Sequence, residues 1–249
     1  MHFIIKSDAE ITMEANPGTV DLDKLKQYCG AGINRISFGC QSADNQELKL
    51  LGRIHTWEAF LESYQLARGA GIENINVDLM SGLPGQTVSS WEETLKKVIA
   101  LKPEHISAYS LILEEGTPFY EMQDKLNLPD EDAERLMYER TAQILMEHGY
   151  EQYEISNYAK HGKACIHNIG YWTGVEYLGF GLGAASLLEH TRFSNTDDME
   201  EYLASSDKPK CIRKEVQPLS VQEEMAEFMI LGLRMNQGVS EQEFMERYH

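Results

Sequence analysis

Four short apolar segments in the first half of the chain each end in a polar or Gly/Pro-rich cluster, and these clusters recur about every 30 residues. A β-α-β unit, in which a helix joins two parallel strands, has about this length. The segments are too short for helices and rich in β-branched residues, so they are predicted to be buried strands. The clusters occupy residues 14–17, 39–42, 78–85 and 109–111. Because ligands bind at the carboxyl ends of such strands, we expect the clusters to meet around one cleft.

Amphipathic helices are predicted between these strands. Residues 21–28 and 57–68 place apolar side chains on one helical face, and glycines follow each segment where a helix would end. Ser90 and Glu93 have the spacing of a capping box ahead of a third helix. The strands that alternate with the helices are predicted at residues 33–38, 75–79 and 106–113. This order favours an α/β fold with a parallel sheet.

The organisation changes in the second half of the chain. A helix is predicted at residues 129–148. A strand at residues 151–158 and a glycine-rich turn region at residues 174–183 follow it. Three further helices are predicted at residues 199–203, 221–235 and 240–249. The last helix begins at Ser240 with a capping box and is cut short by the end of the sequence. We therefore expect a first domain over residues 1–149 and an α+β accessory region with a truncated helical end over residues 150–249.

Composition restricts the class of partner. The 22 basic and 40 acidic residues give a formal net charge of −18 at pH 7, which repels phosphate backbones and anionic lipids. No apolar stretch approaches the ~18 residues that a membrane span needs, and the apolar start of the chain is too short for a signal peptide. We expect a cytoplasmic protein that binds no nucleic acid and has no integral membrane segment.

The four cysteines lack a metal-binding pattern. Cys29, Cys40, Cys165 and Cys211 contain no C-x-x-C pair and no spacing typical of zinc or iron–sulfur sites. Scattered thiols in a chain of this length are predicted to be reduced and structural.

Five ordered motifs carry a resemblance to a known family. They lie at residues 14–19, 32–42, 51–53, 76–87 and 106–111. Together they resemble the oxygen-independent coproporphyrinogen III oxidase-like family of radical S-adenosylmethionine (SAM) proteins. Within that family, residues 167–172 (His-Asn-Ile-Gly-Tyr-Trp) are similar to the H-N-x-x-Y-W signature of the heme chaperone (HemW-type) branch. The resemblance implies heme handling rather than decarboxylation of a porphyrinogen.

The resemblance also implies a fold and a set of cofactors. The expected fold is a partial radical SAM (β/α) barrel, strands three to six of six, followed by the accessory region. Members of the family hold a [4Fe-4S] cluster through C-x-x-x-C-x-x-C after the first strand, and that motif does not occur in this sequence. We therefore expect a truncated chain that holds no cluster, with SAM and the cluster as cofactors of the complete protein and heme as its cargo. Whether the chain is an enzyme stays open, and no catalytic residue is assigned.

Family positions imply the SAM contacts. Glu14, Gln41 and Asp78 correspond to residues that hydrogen-bond SAM, and carboxylates suit its ribose hydroxyls and ammonium group. Arg53 corresponds to an arginine near the SAM carboxylate, for which a planar cation is suited. Ile112 corresponds to a residue whose backbone contacts the adenine, and its side chain is expected in the core.

The H-N-x-x-Y-W segment implies the heme contacts. His167 is a candidate ligand of the heme iron, although a lone histidine is more often structural, and Tyr171 and Trp172 can flank a porphyrin. If the segment is helical, His167 and Tyr171 share one face. His161 and His190 lie outside the motif and are the expected controls.

Three functions remain open at this point. The first is binding of heme and its delivery to acceptor proteins. The second is oxidation of coproporphyrinogen III in heme biosynthesis, and the third is an inactive fragment without a cofactor. The missing strands would leave the strand at residues 10–14 at an open barrel edge, so we also expect self-association through that edge.

Overall fold

The computed structural model describes residues 4–204 and 211–248, and the chain divides into two compact units, Met1–Cys165 and Ile166–His249. The apolar start at residues 1–3, and His249, where the last helix was expected to break off, lie outside the described residues. Among the residues that are described, no helix is long and apolar enough to cross a membrane.

The first unit is built on a six-stranded sheet. Its strands are β1 (Thr12–Ala15), β2 (Arg35–Gln41), β3 (Asn74–Ser81), β4 (His105–Ser110), β5 (Glu151–Gln152) and β6 (Asn157–Ala159). Their order in the sheet is β1-β2-β3-β4-β6-β5. β1 to β4 pair in parallel, whereas β6 pairs antiparallel with both β4 and β5. Four parallel strands at one side of the sheet confirm the predicted α/β class.

Helices connect the parallel strands, and two more follow β4. They are α1 (Leu22–Gly30), α2 (Asn45–Leu50), α3 (Trp57–Gly69), α4 (Val88–Ala100), α5 (Pro118–Glu121) and α6 (Glu131–Glu147). The cap of α4 differs from the sequence prediction, because Thr87 is the N-cap and Ser90, at the third helical position, completes the capping box with it. The helix therefore begins three residues before the predicted Ser90–Glu93 box, since Thr87 already satisfies the first free N–H groups.

The two faces of the sheet differ in polarity. One face buries apolar side chains such as Phe38, Ile75 and Val77 in a core shared with the helices. Alternate residues, among them Ser37 and Asn76, point to the opposite face because side chains alternate along a strand. β2, β3 and β4 are mostly buried, as predicted, although one face of the sheet carries polar side chains.

The end of the first unit differs from the predicted boundary. One strand was predicted at residues 151–158, but the structure has two short antiparallel strands, β5 and β6, separated by a turn. Because β6 pairs with β4, these strands extend the main sheet, and the division between units falls at Cys165 rather than after residue 149.

The second unit contains a three-stranded antiparallel sheet, which agrees with the predicted α+β class of the accessory region, although the sequence patterns did not locate these three strands. Its strands are β7 (Ala185–Leu188), β8 (Thr191–Asn195) and β9 (Arg213–Pro218), and its helices are α7 (Ile166–Trp172), α8 (Met199–Ala204), α9 (Val221–Gly232) and α10 (Glu241–Tyr248). Glu189 and His190 form the two-residue turn between β7 and β8, with φ values of 50° and 58°. Both values suit the turn type that matches the twist of a hairpin.

Candidate functional site

Asp78 is the central carboxylate on the polar face of the main sheet. Its Oδ2 accepts a hydrogen bond from Ser37 Oγ at 3.0 Å, and its Oδ1 accepts one from Asn76 Nδ2 at 2.7 Å. Burial raises the pKa of Asp78, the hydrogen bonds oppose this rise, and the nearby charge of Glu14 adds to it. Each carboxylate oxygen keeps a further lone pair that can accept from a ligand hydroxyl or ammonium group.

A buried chain of hydrogen bonds supports Asp78 from the strand side. Asn76 Oδ1 is 2.5 Å from His105 Nδ1, and His105 Nε2 is 2.8 Å from the Tyr153 hydroxyl. Because Asn76 Nδ2 already donates to Asp78, Asn76 Oδ1 must accept, so His105 carries its proton on Nδ1 and accepts from Tyr153 at Nε2. Burial lowers the pKa of His105 to about 3, and the charge of Arg35 acts in the same direction. His105 is therefore neutral near pH 7.

Tyr109 bonds one of the four side chains assigned to SAM and lies near the other three. Its hydroxyl donates to Gln41 Oε1 at 2.9 Å. Burial and the charge of Asp78 raise the pKa of Tyr109, the charge of Arg53 lowers it, and Glu14 is also near enough to act on it. Glu14, Gln41 and Asp78 lie on the parallel strands β1, β2 and β3, and Arg53, which follows α2, is near enough to Tyr109 for its charge to act on that hydroxyl. Their contact with SAM stays a prediction.

Gln41 lies in an irregular part of β2. Its φ of 67° is in the left-handed region, and the register between β2 and β3 shifts between Phe38 and Gln41. The shift marks a β-bulge, which re-aims a side chain at a strand end. Gln41 is buried, and its side-chain oxygen is held by Tyr109.

A second buried carboxylate, which the sequence patterns did not single out, holds the loop after β3. Glu47 Oε2 accepts from Ser42 Oγ at 2.5 Å and from Gln86 Nε2 at 3.0 Å. Gln86 Oε1 in turn accepts from the Leu83 backbone N–H at 3.4 Å. Glu47 therefore ties the end of β2 to the loop at residues 82–86, and only the pairing of the strands brings these distant residues together.

Ile112 differs in part from its prediction. Its side chain is 76% exposed, so the expectation that it lies in the core is wrong. β4 ends at Ser110, and the Leu111 N–H still donates to the Ser81 carbonyl at 2.8 Å, which places Ile112 just past the sheet. A contact between its backbone and adenine stays a prediction.

The cysteines do not fit an iron–sulfur cluster. In residues 4–204 and 211–248, no group of three or more His, Cys, Asp or Glu side chains is placed to hold a metal ion. Cys40 and Cys165 are buried, Cys29 is half-buried and Cys211 is exposed. Burial raises the pKa of the Cys40 thiol well above its usual range, which disfavours the thiolate that a cluster needs.

The segment assigned to heme is helix α7 of the second unit. The His167 and Tyr171 rings meet edge to face at 4.7 Å, so these residues share one helical face as predicted. Tyr171 also meets Tyr177 at 4.7 Å, and the Arg234 guanidinium lies 4.3 Å from the centre of the Trp172 ring.

A cavity of about 480 Å³ adjoins this helix within the second unit. Its volume is in the usual range for small-molecule sites. The aromatic residues in its wall are Tyr171, Trp172, Tyr177, Phe228 and Tyr248. His190 also lines the cavity, whereas His167 is not among the described residues of its wall.

Comparison with known proteins agrees with this architecture. Residues 2–98 match the family model of the Radical SAM superfamily. Heme chaperone HemW of Bacillus subtilis (strain 168) is 39% identical over 242 residues, which cover 96% of this chain and 64% of that protein. Heme chaperone HemW of Haemophilus influenzae is 40% identical over 246 residues, 96% of this chain and 62% of that protein. This chain therefore spans less than two thirds of the length of either relative.

A solved structure shares the fold. Coproporphyrinogen III oxidase (HemN) from Escherichia coli, described as a radical SAM enzyme, superimposes with a TM-score of 0.80 at 23% identity. The match covers 98% of this chain and 59% of that one. The partial radical SAM barrel expected from the sequence is confirmed.

Proposed function

Because this chain belongs to the HemW and HemN-like family of radical SAM proteins, we propose that it is part of a heme chaperone that binds heme and delivers it to acceptor proteins. The observation that carries the proposal is the pair Tyr171 and Trp172 in the wall of an aromatic cavity. Aromatic side chains stack on flat rings such as a porphyrin. In this proposal, the segment at residues 167–172 forms part of the heme site, and its residues Tyr171 and Trp172 contact the ring.

Saturable binding of heme by this chain is the first expected result. Titration with hemin should give a Soret band that shifts until about one equivalent is bound, as expected if the heme occupies the aromatic cavity of the second unit. Heme bound in this way should then pass to apomyoglobin, which serves as a test acceptor. A Soret spectrum identical to that of free hemin at all ratios would contradict heme binding.

The rival enzyme function has less support. The solved coproporphyrinogen III oxidase is 23% identical to this chain. At this level of identity, a shared fold does not indicate a shared substrate. Conversion of coproporphyrinogen III to a decarboxylated product by the whole protein would favour this rival over the chaperone.

We further propose that the cleft around Tyr109 takes SAM. The residues present fit this ligand, since Asp78 and Glu14 can accept from its hydroxyl and ammonium groups and Arg53 can pair with its carboxylate. Gln41 and the backbone of Ile112 complete the proposed contacts. Bound SAM supplies the radical chemistry of the family when a reduced [4Fe-4S] cluster accompanies it. In the complete protein, the cluster would take ligands other than the four cysteines of this chain.

Replacing Asp78 should weaken SAM binding strongly. Asp78→Asn removes the charge while keeping the size of the side chain, and a hydrogen bond to a charged group contributes about 1.5–3 kcal/mol. We therefore expect the SAM dissociation constant to rise roughly tenfold or more by titration calorimetry. Asp23→Asn, which neutralises an exposed carboxylate of α1, is the control. Equal SAM affinity of the two variants would argue against this cleft.

A further inference from the structure

We propose that the heme sits in the cavity of the second unit with His190 as the axial ligand of its iron. This inference rests on the proposed function of heme binding and adds the position of the heme and the residue that ligates its iron. It departs from the sequence analysis, which took His167 as the candidate ligand and His190 as a control.

The turn between β7 and β8 holds His190 at the cavity. The Leu219 N–H donates to the His190 carbonyl at 2.8 Å. On the other side, the Glu189 N–H donates to Glu176 Oε1 at 2.5 Å. Glu176, His190 and Leu219 all line the cavity, so the turn is fastened to its wall at two points. The backbone of His190 is therefore fixed before heme binds.

The contact with Glu224 gives His190 the chemistry of a metal ligand. His190 Nδ1 is 2.5 Å from Glu224 Oε1. Because a carboxylate only accepts, Nδ1 carries the proton and Nε2 is the atom left for iron. Histidines that bind metals usually donate their second N–H to a carboxylate or carbonyl, which orients the ring and makes it more basic. The Glu224 side chain is 19% exposed, whereas that of His190 is 78% exposed, so a fixed carboxylate positions an accessible imidazole.

The rest of the cavity suits a porphyrin. Its aromatic and aliphatic wall, which includes Trp172, Phe228 and Leu231, can cover the apolar ring. At its edge, Arg247 Nη2 is 2.6 Å from Glu243 Oε1, and both side chains are well exposed. An exposed ion pair contributes only about 0–1 kcal/mol, so Arg247 can exchange Glu243 for a heme propionate at little cost while Nη1 keeps its hydrogen bond to the Thr173 carbonyl at 3.2 Å. The opposite charges of Arg192 and Glu227 neutralise each other in the wall.

His167 is less suited to the same role. Its ring packs against the edge of Tyr171, and it is not among the described residues that line the cavity. Tyr171 itself lines the cavity, so His167 supports a wall residue. The motif segment would then shape the heme site, while the iron ligand comes from the β7–β8 turn.

A comparison of two ligands separates the contribution of the iron–histidine bond from that of the fit of the porphyrin ring in the cavity. Hemin and metal-free protoporphyrin IX share the macrocycle, but only hemin has an iron for His190 to bind. His190→Asn is the main variant because asparagine tolerates the φ of 58° at this position. We expect it to weaken hemin binding by roughly tenfold or more and to change the Soret band, with protoporphyrin IX binding unchanged. His161→Ala, which lies outside the motif and outside the described wall of the cavity, is the matched histidine control and should retain the ligated spectrum. His167→Ala tests the rival ligand and should also keep the Soret band of a ligated iron, because His167 is not among the described residues that line the cavity.

A cavity-filling variant independently tests whether the heme binds in this cavity. Val175 lines the cavity and is 56% exposed, so Val175→Trp adds bulk there without disturbing the core. It should weaken the binding of both hemin and protoporphyrin IX. An unchanged hemin affinity and spectrum in His190→Asn would overturn the inference, as would loss of ligation in His167→Ala alone. If the wild-type chain binds neither porphyrin, the proposed function fails as well.

Discussion

Replacing Trp91 with alanine should lower the free energy of unfolding of the first unit by about 3–5 kcal/mol. Trp91 is fully buried on α4, and its Nε1 donates to Thr141 Oγ1 on α6 at 2.8 Å. Trp91→Ala leaves a large cavity between these helices and removes the hydrogen bond that joins them. Urea denaturation followed by circular dichroism measures the loss.

Matched variants isolate the cause. Trp91→Phe keeps most of the buried ring and should lose less stability than Trp91→Ala. Leu136→Ala, at an exposed position of α6, should change stability by no more than about 0.5 kcal/mol. A loss in Trp91→Ala as small as that in Leu136→Ala would contradict the packing of α4 on α6.

Acidification should destabilise the first unit through His105. The pKa of His105 is about 3 in the folded protein against 6.5 for a free histidine. Between these pH values the unfolded chain binds the proton and the folded chain does not, so stability falls as the pH is lowered. Each pH unit corresponds to about 1.4 kcal/mol, which gives a loss of about 3 kcal/mol between pH 6.5 and pH 4. Asp78 acts in the opposite direction, because its pKa is raised in the folded protein.

Urea denaturation at a series of pH values tests this dependence. His105→Asn keeps a polar side chain but cannot be protonated, so its stability should change less across this window than that of the wild type. His161→Asn removes a fully accessible histidine of the same unit and should keep the wild-type slope. If His105→Asn and wild type lose stability in parallel, protonation of His105 is not the cause.

Local sequence patterns predicted the parallel strands but missed the polar face of the sheet. The signal was present in β3, where Asn74, Asn76 and Asp78 alternate with Ile75 and Val77. Such a period of two indicates a strand with one polar face. The prediction of buried strands rested on the apolar and β-branched residues alone and did not use the polar residues between them.

Contacts between distant residues could not be predicted in the same way. His105 is buried because Tyr153 pairs with its ring from 48 positions away, and nothing near His105 in the sequence indicates this contact. The pairing of His190 with Glu224 spans 34 positions and depends on α9 packing beside the β7–β8 turn. Short-range periodicity contains no information about either pair.

The resemblance to a family identified the candidate SAM residues, which periodicity alone could not do. Glu14, Gln41, Arg53 and Asp78 come from four separate segments, and their gathering around Tyr109 depends on the parallel order of the strands. Tyr109 itself was visible only as the end of an apolar run. The second unit offered no comparable guide to its small sheet, because the strands are short and β9 is mostly exposed.

At Gln41, the left-handed backbone conformation lowers the stability of the fold, whereas the side chain contributes to the proposed binding site. A residue other than glycine in this conformation costs about 1–3 kcal/mol, and that strain is present whether or not a ligand is bound. Glycine at residue 41 would relieve the strain but would delete the amide that meets Tyr109 at the cleft. Engineering this unit for heat resistance would therefore push residue 41 toward glycine, and the more robust protein would have an impaired cleft.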